Sequence, residues 1–294
     1  MWIKVLTVLA AGIAVLVVLV CAFVLANRPV LVTIDADIPA GFPENAFSHE
    51  IFEDLLHKYV DAQGAVDFEA WHANDADRLR LDGYLAAIAA YSPDVTPERF
   101  ARQSDELAYW MYAYNAYVIR SVLDHWPLES VTDVKAPIEA VTGLGFFYRQ
   151  RFLFGDTPLS LYVVENHRIR KRFQDPRIHF VLYCASASCP VLRPQLPTGD
   201  ELETLLDEAT AAFVSDPKNV FIDHENRQIV LSAIFEMYRG DFLRELAKQG
   251  IPSERGVYDY VLTVAPGDLR KELEAADGYE VTFAGYDWAI AKSK

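Results

Sequence analysis

The sequence predicts an α+β protein: a helix-rich single domain with a small sheet, preceded by one N-terminal transmembrane helix. Three observations lead there. The chain opens on an unbroken apolar run, most of the remainder carries helical spacing of apolar residues, and short β-branched or aromatic runs are scattered without a repeated strand-helix unit.

The opening run, Val5 to Ala26, has Thr7 as its single polar member and is flanked by Lys4 and Arg28. Roughly 20 apolar residues at about 1.5 Å each span the ~30 Å hydrocarbon core, so residues 1–28 read as a signal anchor. A cleaved signal peptide is the rival reading, with Val24-Leu25-Ala26 as a weak cleavage site, but its apolar region usually covers about 7–15 residues. Cys21 does not read as a lipidation site, because Val20 before it is not small. Lys4 favours an N-terminus held inside. Either export reading places the rest of the chain outside the cytoplasm, in the periplasm if the source is bacterial.

A hydrophobic fraction of 52% and an aromatic fraction of 13% describe a globular chain. The formal charge is −15, and setting aside Lys4 and Arg28 leaves 25 basic against 42 acidic residues, or −17 for the domain. Nucleic-acid binding needs a clustered basic face and is excluded as a partner class. The acidic residues form no dense block, so they read as a solubilising surface.

Residues 29–45 hold three prolines and no helical period, and predict an extended linker leading away from the membrane. The domain is expected over residues 46–290. Ile51, Leu55, Leu56 and Tyr59 predict a first helix, residues 75–91 a second, and Thr96-Pro97 the cap of a short third. Residues 104–125 predict a helix that is apolar on most sides and therefore buried. The aromatic stretch 145–155 has hairpin or edge-strand character. Ser160 caps a helix to about Arg172, and Ile178 to Cys184 reads as a strand. Thr198 and Glu201 form a capping box for a helix to about Ser215. Strands are expected at Asn219 to Asp223 and Gln228 to Leu231, and Ser232 starts another helix.

Reactive side chains concentrate between His179 and Pro190, which hold Cys184, Ser186, Ser188 and Cys189. A thiolate and an imidazole brought together can perform acyl transfer. On one regular strand His179 and Cys184 would face opposite ways, which leaves Cys189, on the following loop, as the candidate nucleophile. A Cys184–Cys189 disulfide, permitted by export, and inert buried thiols stand beside that reading. Metal binding by Cys184, Cys189 and His179 lacks a fourth ligand in any standard zinc spacing, and no cofactor motif is present. Glu165 sits at the edge of an apolar helix face, where it either orients a histidine or pairs with Arg168 or a nearby arginine. Asn115, in the buried helix, reads first as a brace for a loop and second as a substrate contact. Arg170 and Ser188 stand with it as candidate substrate contacts.

Ordered landmarks then point to a family. They run from Trp110 and Tyr114-Asn115-Ala116 through Ser130 to Asp133, Leu159-Ser160-Leu161 with Glu165 and Arg170, and Ile178-His179-Phe180. They continue with Cys184-Ala185-Ser186, Ser188-Cys189-Pro190, Leu231-Ser232, Phe235, Tyr238, Asp241-Phe242 and Tyr286-Asp287-Trp288. On these the chain resembles the domain of unknown function 547 family over about residues 47–288. It departs at Tyr112, where the family tends to have Asn, at Asn166, where a His commonly follows the Glu, and at Met237, where Trp is usual. The family name implies no established chemistry. A distant likeness to papain-like and transglutaminase-like thiol enzymes implies an α+β fold using Cys, His and an acid.

Two functions follow as expectations. One is a membrane-anchored, thiol-dependent hydrolase or acyltransferase with Cys189 as nucleophile, His179 as base and Glu165 as orienting acid. The other is a non-catalytic binding or scaffold module with a structural disulfide and a core built on Trp110, Phe235, Tyr238 and Trp288. In both, the N-terminal helix makes the membrane a partner, and protein or small-molecule partners are unspecified.

Overall fold

The computed structural model describes residues 2–291. Helix α1 (Trp2–Ala26) is the apolar run; over Leu9–Ala26 its mean hydropathy is 3.0 and none of it is buried by the domain. By length and composition it can cross a membrane, and by position it can serve as a signal sequence.

The segment after α1 is extended but lies along the domain. Strand β1 (Val30–Leu31) pairs in parallel with β2 (Gln150–Phe154), with Val30 opposite Gln150. Further on, Arg99 Nη1 donates to Pro43 O at 2.6 Å and to Ala46 O at 3.0 Å. These bonds satisfy backbone carbonyls that a free stalk would leave to water.

Helices α2 (Glu50–Tyr59), α3 (Phe68–His72) and α4 (Asp75–Ala90) follow, then a short 3-10 turn at Pro97–Arg99. They enclose α5 (Gln103–Asp124), whose residues Leu107 to Ile119 are all buried. Its apolar character on every side leaves it no solvent face, and each large side chain so buried contributes roughly 1.5–3 kcal/mol. The tyrosines on α5 reach past the core to backbone carbonyls: Tyr109 to Tyr91 O, Tyr112 to Pro197 O and Tyr117 to Leu153 O, at 2.6–2.7 Å. Each hydroxyl is thus satisfied while its ring fills the core.

A π-helical turn (Leu144–Arg149) leads into β2, which forms a hairpin with β3 (Thr157–Leu159). Helix α6 (Leu161–Val163), capped by Ser160 Oγ, runs through a second π turn (Val164–Arg170) into α7 (Lys171–Phe173). After the reactive loop come α8 (Glu201–Ser215), the hairpin β4 (Val220–Asp223) and β5 (Gln228–Leu231), α9 (Ala233–Met237), α10 (Arg239–Gln249), α11 (Val257–Val264) and α12 (Gly267–Ala275). Strand β6 (Glu280–Phe283) closes the second sheet in parallel with β5. The described residues therefore form an α+β domain with two three-stranded sheets where the sequence predicts one small sheet.

Two local expectations are corrected. Ile178 to Cys184 is not a strand: Pro176–Phe180 is a 3-10 turn, and irregular chain follows. Asp175 caps it by accepting the Arg177 N–H at 2.9 Å, and Pro176 suits the first helical position. The apolar run is buried because it lies in the centre of the domain, so its β-like composition reflects burial. The capping box at Thr198 is also absent, since α8 begins at Glu201 behind Asp200 with no side-chain cap bond.

The irregular segment is held by Asn115. Its Nδ2 donates to Val181 O at 3.1 Å and its Oδ1 accepts the Tyr183 N–H at 2.8 Å. Asn115→Ala leaves both backbone groups buried and unpaired, so urea unfolding should show a loss of about 2–4 kcal/mol. A loss below about 1 kcal/mol would remove the brace from the fold's account.

Candidate active site

The brace delivers Cys184 to the wall of a cavity of about 220 Å³. Immediately after it, Ala185 adopts φ +63°, a left-handed conformation that costs a non-glycine residue about 1 kcal/mol or more. The turn is kept by the closing segment of the chain. Ala187 N donates to Ala289 O at 2.7 Å, Ala291 N to Ala185 O at 3.0 Å, and Asp287 N to Ser188 Oγ at 2.8 Å. Ser130 Oγ holds the other side of that segment by donating to Trp288 O at 2.8 Å. This pairing sets the Tyr286 hydroxyl 2.9 Å from Cys184 Sγ, with Ser186 Oγ at 3.0 Å.

These contacts divide the two thiols electrostatically. Burial pushes the Cys184 thiol up, but hydrogen bonds with Cys189, Ser186 and Tyr286 outweigh it and bring it down to about 7. Cys189 is driven well above the ordinary thiol range by burial and by its hydrogen bond to the Cys184 sulfur. Its Sγ accepts the Cys184 N–H at 2.7 Å and lies 3.6 Å from Leu182 O. Both cysteines are free, so the structure does not hold the disulfide of the second expectation.

The π turn Val164–Arg170 places Glu165 and Arg170 on the wall of the same cavity. Five residues along an α-helix turn about 140° away from each other, at roughly 3.6 residues per turn; the i→i+5 bond of a π turn brings them onto one side. Burial raises the Glu165 carboxyl, while a hydrogen bond from Tyr238 and the charge of Arg170 oppose that. Tyr238 keeps its proton, raised by burial and by Glu165. Tyr114, Tyr148, Tyr162, Tyr238, Tyr286 and Trp288 supply most of the remaining wall.

His179 lies behind this wall. Its ring stacks on Tyr238 with centroids 3.8 Å apart, and its Nε2 is 2.8 Å from Asp241 Oδ2. Asp241 also accepts from Arg170 Nε at 2.7 Å and Arg244 Nη1 at 3.0 Å. Burial lowers the His179 imidazole to about 4 despite Asp241, so it stays neutral and donates to the carboxylate. Burial raises the Asp241 carboxyl, but His179 and Arg170 outweigh it and hold it below the usual carboxylate range.

The predicted residues thus separate. Glu165 and Arg170 share the cavity with Cys184, whereas Cys189 and Ser188 line a different cavity of about 200 Å³ across the loop. No hydrogen bond joins Cys189, His179 and Glu165 among the described residues, so they do not form the expected triad. Asn115 is committed to backbone on both amide atoms, and Ser188 to Asp287 N. Arg168 pairs with Asp94 at 2.7 Å and leaves Glu165 free of it. Asn166 donates to Tyr162 O at 2.9 Å and accepts from Arg170, while His167 is exposed and does not substitute for a histidine after the Glu. Trp110 and Phe235 are core residues; Tyr238 and Trp288 are cavity wall. Sequence reasoning missed Tyr286 and Asp241 as site residues, although both stand in the ordered landmarks that carried the resemblance. Among the described residues, no cluster of three or more His, Cys, Asp or Glu side chains is arranged to hold a metal ion.

Residues 98–214 match the family described as Protein of unknown function, DUF547. The DUF547 match begins at the turn before α5 and ends in α8, so it contains Asn115, Glu165, Arg170, His179 and both loop cysteines. Tyr238, Asp241, Tyr286 and Trp288 lie beyond it, and the match is narrower than the 47–288 span of the resemblance. No curated protein and no solved structure matches the chain.

In the native protein, iodoacetamide should alkylate Cys184 before Cys189, with a pH midpoint near 7 for Cys184 read by mass spectrometry. Earlier labelling of Cys189 would reverse the assignment. A second outcome concerns stability. His179 has a folded pKa below its unfolded value, so the unfolded chain binds more protons between about 6.5 and 4, and stability falls as pH drops through that window. The loss should be on the order of 2 kcal/mol and should shrink in His179→Gln, measured by denaturation at pH 7 and pH 4.5.

Proposed function

We propose that this is a membrane-anchored extracytoplasmic domain with a thiol-dependent acyl-transfer centre, in which Cys184 is the nucleophile and Glu165 the proton carrier. The observation that carries it is a lowered thiol and a raised carboxyl lining one cavity. The Cys184 thiolate attacks an ester or amide carbonyl and forms a thioester. The departing alcohol or amine takes its proton from Glu165. Water, deprotonated by the resulting Glu165 carboxylate, then cleaves the thioester to a carboxylic acid and restores the thiolate. Tyr286 and Ser186 hydroxyls stabilise charge at sulfur before attack. His179 and Asp241 are positioning residues, fixing Tyr238 and Arg170 from behind.

A pure binding role is favoured by the aromatic wall, where Tyr148 stacks on Tyr162 and Tyr286 packs at a tilt against Trp288, both with centroids 4.4 Å apart. Turnover of p-nitrophenyl esters separates the two. Cys184→Ala should abolish it, Glu165→Gln should lower kcat by about 10²–10⁴-fold, and Cys189→Ala should retain most of it. Undiminished turnover in Cys184→Ala would sink the catalytic reading.

A further inference from the structure

We propose that the face of the domain beside α1 rests on the bilayer, and that the cavity takes the acyl part of a membrane-resident amphiphile through that face. The proposal rests on the anchor and acyl-transfer readings above and adds orientation and substrate class.

The end of α1 is bolted to one edge of the domain. Asn27 Nδ2 donates to Ile138 O at 3.0 Å, Asn27 Oδ1 accepts the Ile138 N–H at 3.2 Å, and Arg149 Nε donates to Arg28 O at 3.1 Å. With β1 laid on β2, the exit of the apolar helix is held against residues 138–151. That same stretch contributes Thr142, Phe147 and Tyr148 to the cavity wall. The loop itself is seated by Gly145, where a Cβ would meet Val134 O at 2.1 Å.

The surface there is unlike the rest of this acidic domain. Ten large apolar or aromatic side chains beyond α1 are exposed among the described residues. Six of them, Val30, Leu31, Ile138, Val141, Tyr162 and Met237, belong to the anchor strand, this loop or the cavity wall. Exposed apolar groups gathered at one place mark a contact surface, and aromatic rings favour the membrane interface. Arg28, Lys135 and Arg149 supply cations for lipid phosphates. Two nearby carboxylates are engaged as backbone caps, Asp133 on Ser130 N and the half-buried Glu139 on Ala136 N and Leu144 N. An apolar helix that ends on this edge holds the patch at the lipid surface, so the occupant argued for is the bilayer.

The full chain, reconstituted in phosphatidylcholine nanodiscs containing a diazirine-tailed phosphatidylcholine, tests this by photolabelling and peptide mapping. Adducts are expected on α1, on residues 138–148 and on Tyr162, several-fold above Leu79 and Phe221 on remote surfaces. Ile138→Asp with Val141→Asp should cut labelling of Tyr148 several-fold with an unchanged melting temperature. Adducts confined to α1, or equal at Leu79 and Phe221, overturn the proposal while the anchor stands. An unlabelled α1 overturns the anchor and the proposal together. Loss of ester turnover in Cys184→Ala tests the chemistry separately, because that variant should still photolabel.

Discussion

The reactive loop depends on one buried amide. Residues 181–190 have no regular secondary structure, so their backbone groups need partners from elsewhere, and an unpaired buried group would cost about as much as a lost hydrogen bond. Asn115 supplies two of those bonds from α5, the most deeply buried helix of the domain. Because α5 is packed on every side, the amide is itself immobile, and the position of Cys184 inherits that rigidity. The other half of the loop takes its bonds from residues 287–291, so the centre and the end of the chain meet at one sulfur.

Charge in the site is arranged in two layers. The inner one contains Cys184, Glu165 and three tyrosines, Tyr114, Tyr238 and Tyr286, each pushed by burial toward its protonated form; only the Cys184 sulfur has enough hydrogen bonds to move the other way. Behind it, His179, Asp241, Arg170 and Arg244 form a group in which the ionised carboxylate pairs with both arginines and the imidazole stays neutral. The π turn connects the layers, since Arg170 bonds Asp241 while bordering the cavity with Glu165. An ordinary α turn would point one of the two away.

The export expected from the sequence and the geometry give different answers for the cysteines. Export permits a disulfide, but permission comes from the redox environment and pairing comes from the placement of two sulfurs. Here Cys189 Sγ is engaged with the backbone of Cys184, and each thiol borders a separate cavity. The pair is therefore better described as one shared proton environment than as a staple, with Cys189 holding its proton and Cys184 yielding it.

Sequence alone determined the apolar N-terminal helix, the helix-rich α+β class, the buried α5 and the concentration of reactive groups between His179 and Pro190. These are local properties, written in composition and in apolar spacing. Periodicity failed at 178–184, where burial imitates strand composition, and it carried no sign of the π turn that sets Glu165 beside Arg170. Which thiol faces the acid was beyond it as well. That choice is made by Asn115, Tyr238, Asp241 and Tyr286, residues separated by up to 171 positions from one another and joined only by packing. Contacts of that range obey no period along the chain, so tertiary structure alone decided that Cys184, and not Cys189, lines the cavity shared by Glu165 and Arg170.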